Sequence, residues 1–75
     1  MNPMEESIAQ AKKAADAVQA YLDKLSEMDQ QNMKATVAMF TKDEINDLAD
    51  NAQTPEKKAF MLVASFLKGI QHVGQ

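Results

Sequence analysis

Apolar residues recur along the first third of the chain at Met4, Ile8, Ala11, Ala15, Val18, Leu22 and Leu25. Steps of four and three lay a heptad-like stripe along one side of a helix. Asn2 is suited to cap that helix, Pro3 fits its first position, and Glu5 completes a box-like spacing. The pattern predicts a first helix over about 3–28. The middle of its stripe is alanine, which lets a partner helix approach closely. Ile8, Ala11, Ala15, Val18, Leu22 and Leu25 form the expected self-association seam.

Beyond Met28 the stripe is interrupted by "DQQN", then resumes almost in phase at Met33, Thr36, Val37 and Phe40. In a continuous helix Asp29 and Asn32 would fall on the apolar seam, so the pattern favours a turn at 29–32 and a second helix over about 30–40. The alternative is one long helix through to Phe40. "TKDE", Thr41 to Glu44, has the form of a capping box, and Ile45, Leu48, Ala49 and Ala52 begin a stripe rotated from the last. A third helix follows over about 42–52. "NAQTP" ends it, with Thr54 as a cap and Pro55 opening a fourth helix over about 55–73. Gly74 and its neighbours are expected to fray.

The fourth helix contains the run from Ala59 to Leu67, nine residues of which only Ser65 is polar. As helix the run is about 13 Å long against a bilayer core of roughly 30 Å, so no membrane span is expected. At 100° per residue, Leu62, Val73, Phe66, Ala59, Ile70, Val63, Leu67, Phe60 and Ala64 sweep roughly half the circumference. Lys57, Lys68, His72, Ser65, Lys58 and Gly69 hold the other half. The core-facing arc is expected to centre on Ile70 and Val63, leaving an edge at Leu62 and Phe66, with Met61 stranded among the lysines.

These elements predict an all-α domain over 1–75, a small antiparallel bundle of three to four helices. First and last helices of about 39 and 28 Å cannot be covered by the short middle ones, so an apolar seam should stay open and a homodimer is expected.

Composition narrows the chemistry. The 75 residues are 45% hydrophobic and 25% charged, ordinary values for a folded soluble chain. All eight basic residues are lysine, so no guanidinium fork is present to read phosphate or guanine, and nucleic acid is an unlikely partner. Without cysteine there is neither disulfide nor thiolate chemistry, which suits a cytoplasmic location. "MNPMEES" lacks the pattern of a signal peptide, and no targeting segment is expected.

Asp43, Glu44, Asp47 and Asp50 form the densest acidic cluster, without the spacing of a calcium loop. Acidic residues at a helix start and on its solvent face account for them, and no metal site is expected. His72, the sole histidine, suits a helix C-terminus. No glycine-rich phosphate loop, paired-carboxylate signature or triad-like set occurs, so neither catalysis nor a cofactor is expected. The segment "INDLADNAQTPEKKAF" is loosely similar to a helix-turn-helix, but its second helix would offer DNA only Glu56, Lys57, Lys58 and Met61.

Six methionines complete the inventory. Met4, Met28 and Met33 fit helix seams, whereas Met39 and Met61 lie off them. Met39, Met61, Leu62 and Phe66 are the expected partner-binding residues. The function expected is a non-enzymatic adaptor, regulator or inhibitor, with a self-assembling coiled-coil module and a DNA-binding regulator as the alternatives.

Overall fold

The computed structural model describes residues 2–73, with side chains to residue 70. Its four helices are α1 (Pro3–Asp23), α2 (Glu27–Met39), α3 (Lys42–Asp50) and α4 (Pro55–Val73), and no strand occurs among the described residues. The fold is a small all-α bundle. Fraying at Gly74 and the His72 side chain lie outside the described residues.

Local chemistry sets the boundaries. The Asn2 side chain accepts from the Met4 amide at 2.8 Å, and Pro3 opens α1. Thr41 and Glu44 complete the reciprocal capping box of α3. Thr54 Oγ1 accepts from the Lys57 amide at 3.2 Å at the start of α4. Each satisfies an amide that a helix start leaves without an intrahelical partner.

The first break differs from the expected one. The chain leaves α1 after Asp23, and Asp29–Asn32 lie inside α2, so helix one ends about five residues early and the turn is at 24–26. The cause is Ser26, whose hydroxyl accepts from the Asp29 amide at 3.2 Å. "SEMD" is thus a helix start that the polar "DQQN" obscured. Gln30 serves the other side of the break: its side-chain amide donates to the Leu25 carbonyl in the turn at 3.2 Å and to the Leu22 carbonyl at 3.4 Å, which also accepts from the Leu25 amide at 3.1 Å.

The core is small and lies between α2, α3 and α4. Met33, Val37, Ile45 and Ala64 form its buried centre, and Ala49 is buried beside them on α3. Phe40, Phe60, Met61, Val63 and Leu67 pack against it, joined from the α1 end by Tyr21, Leu22 and Leu25. Residues 3–17 of α1 are exposed throughout, so α1 projects from the body and touches it only through its C-terminal end. The molecule measures 40 × 25 × 25 Å.

Helix α4 is turned relative to its apolar arc. Among the described residues its buried ones are Ala64 and Ser65, while Ile70 and Leu62 are half exposed. The expected centre of the core face, Ile70 and Val63, is therefore corrected to Ala64, roughly 100° or more around the helix. Two features favour this orientation. Alanine at 64 lets α3 approach closely, placing Ile45 against it. The polar groups on the same side are all partnered, so their burial carries no penalty.

Candidate interaction surface

The polar partners on α4 make a compact network. Lys42 Nζ donates to both the carbonyl and the hydroxyl of Ser65 at 3.0 Å, and the Ser65 hydroxyl donates to Asn46 Oδ1 at 2.5 Å. Lys68 Nζ donates to the Val37 carbonyl at 2.8 Å. Helix α2 has no basic residue in its last turn, so α4 supplies the cation that its C-terminus favours. No buried side-chain nitrogen or oxygen among the described residues lacks a partner.

Ser65 and Lys42 contain the atoms of a serine–lysine pair, but the arrangement holds helices together. A nucleophilic serine must give its proton to a base. Here the Ser65 proton points to Asn46, the lysine is a donor, and the hydroxyl is buried beneath α3. Among the described residues no group of three or more acidic or histidine side chains is placed to hold a metal ion. Glu44 of the acidic cluster is occupied by the capping box.

Turning α4 this way exposes the apolar arc from its Leu62 edge to Ile70. Leu62 retains 51% of its exposure and Ile70 50%, with Ala59, Val63 and Phe66 half-buried between them. The stripe on α1 is more open still: Met4 is 69% and Ile8 62% exposed, and Ala11 and Ala15 are also exposed. The expected seam is thus divided. Val18, Leu22 and Leu25 are half-buried at the body, and the residues before them face solvent.

The four expected partner-binding residues do not form one patch. Leu62 and Phe66 belong to the α4 arc. Met39, 75% exposed, lines an open groove of about 720 Å³ with Phe40, Leu48, Phe60 and Met61. Met61 is not the stranded residue its wheel position indicated: it is half-buried and packed against the core. The lysine side of α4 faces its neighbours, and Met61 goes with it. Met28 leaves the expected seam and is exposed, because the early break rotates it away.

A second groove, about 530 Å³, runs between the end of α1, α2 and α4, floored by Leu22, Met33, Val37, Leu67 and Ile70 with Lys34 at its side. It is continuous with the α4 arc through Ile70. Near the α1 end, burial pushes the Tyr21 phenol above its ordinary 10.0, and the Asp29 carboxylate pushes it further. No helix among the described residues is long and apolar enough to cross a membrane. No protein-family model, curated protein or solved structure matches the chain.

Proposed function

We propose that the chain is a small non-enzymatic protein–protein interaction module that acts as an adaptor, regulator or inhibitor by presenting an apolar helical face. The observation that carries this reading is the uncovered α4 arc, Leu62 to Ile70, together with the open stripe on α1. Single exposed apolar side chains are common on folded proteins, but contiguous ones along a helix favour a contact surface. The geometry is that of a helical face offered to another helix. We place the module in the cytoplasm, where a cysteine-free chain folds without an oxidant.

The test is a diazirine amino acid placed at position 62, with position 13 on the polar side of α1 as control, expressed in the native host. Irradiation is expected to give a protein adduct from position 62 and none from position 13. Equal labelling from both positions, or none from either, overturns the reading. Leu62→Lys combined with Ile70→Lys changes exposed positions only. These changes should preserve the helical circular dichroism while abolishing the association.

A further inference from the structure

We infer that the apolar arc of α4 is covered by α1 of a second copy of this chain, exchanged reciprocally so that each α1 lies along the other copy's α4. This rests on the interaction-surface reading above and names the occupant.

Surface area is the first observation. The chain exposes 5964 Å², whereas a compact folded chain of its mass exposes about 4,600 Å². The excess, about 1,400 Å², exceeds the roughly 800 Å² that each partner contributes to a standard stable interface. The radius of gyration agrees, at 13.3 Å against about 11 Å for a compact chain of this length. Residues 3–17 of α1 are exposed throughout, and Leu62 and Ile70 on α4 are half exposed. Both belong to every copy.

The two stripes also match in length and relief. Met4 to Ala15 and Ala59 to Ile70 each cover about 17 Å of helix. The α1 stripe has small residues, Ala11 and Ala15, in its middle and at one end. The α4 stripe is built from Leu62, Val63, Phe66 and Ile70. A bulky stripe meets a notched one, whereas two α4 stripes together would crowd and two α1 stripes would leave alanine facing alanine.

Charge selects the same pairing. Helix α1 carries four carboxylates, Glu5, Glu6, Asp16 and Asp23, against Lys12 and Lys13. On helix α4 Lys58 stands beside the arc, one turn before Leu62, while Lys57 and Lys68 lie on the opposite side, Lys68 bonded to the Val37 carbonyl. The first helix is net acidic, so it meets Lys58 favourably beside the α4 arc, whereas α1 against α1 would set carboxylates against carboxylates. A two-fold exchange uses both stripes on both copies, closing the assembly at two chains. It also gives residues 3–17 the tertiary cover without which so short a helix is marginal in water.

The chain's lack of cysteine makes disulfide trapping a direct test. Ala11→Cys is mixed with Leu62→Cys, and separately with Phe66→Cys, under mild oxidation, while sedimentation gives the mass of the unmodified chain. The exchange predicts a two-chain mass at tens of micromolar. It also predicts a covalent heterodimer in at least one mixture, and little covalent dimer from any single variant alone. Leu62 is half exposed, so a fold defect in Phe66→Cys leaves the Leu62 arm informative. A one-chain mass up to millimolar concentration overturns the second copy as occupant. If photo-crosslinking at position 62 still captures a different protein, the interaction reading stands without it. A two-chain mass with Ala11→Cys alone forming the covalent species overturns the α1–α4 exchange in favour of α1 against α1.

Discussion

Helices α1 and α3 differ in how much the rest of the molecule supports them. Both start with a side-chain cap and both carry an apolar stripe. The nine residues of α3 bury Ile45 and Ala49 beneath α4, whereas the 21 residues of α1 bury none. Good local signals therefore make a helix start in the right place without deciding whether it belongs to the core. That decision depends on what faces the stripe, and within one chain α1 has almost nothing facing it.

The largest break in this comparison is the same chemical change made on each helix. Ile45→Ala removes a side chain with no exposed surface and should cost about 2–5 kcal/mol, enough to unfold much of a domain this small. Ile8→Ala should change the unfolding free energy of the dilute monomer, measured in urea, by less than about 0.5 kcal/mol. Equal effects would mean that α1 is packed within the chain.

Smaller changes sharpen the contrast. Ser65→Ala removes the group that links Lys42 to Asn46 and should cost about 1 kcal/mol, because water can re-engage both exposed partners. Thr41→Ala opens the capping box and should lower the unfolding free energy by about 1 kcal/mol. Asn2→Ala, at the equivalent place on α1, should reduce ellipticity at 222 nm while leaving the midpoint of the body unchanged.

The smallest effect is in pH and reports on the joint between the two regions. Because the folded-state pKa of Tyr21 is raised, folding favours the neutral phenol. Its contribution is intact below 10.0 and is lost as pH rises through the higher folded value. Stability should therefore fall on the alkaline side, and Tyr21→Phe should remove that part of the slope. The chain has one tyrosine and no tryptophan, so absorbance at 295 nm follows this group alone. Titration at or below 10.0 would show that the end of α1 is not seated on the body.

Much of the architecture was legible because it is written in local chemistry. The capping box at Thr41, Pro55 after Thr54, and Pro3 after Asn2 are short-range signals, and all mark helix starts. The Ser26 start carried the same kind of signal but competed with a polar stretch that resembled a turn. The orientation of α4 was hidden for a different reason. A helical wheel weighs hydrophobicity alone, whereas Ala64 is buried because it is small, Ser65 is buried because its partners lie on α3, and the half-buried Lys68 turns to a partner on α2. Those partners are 19 to 31 residues away in the chain. Met61 was misplaced by the same blindness, while the exposure of Met39 needed no long-range information.

The Gln30 side chain, bonded to the end of α1, has a mechanical consequence. It sits at the fulcrum of a lever about 31 Å long, so a 10° change there moves Met4 by about 5 Å, a full turn of helix. The stripe on α1 is aimed from this joint. A substitution at Gln30 would leave every residue of the stripe in place and still point it in a different direction.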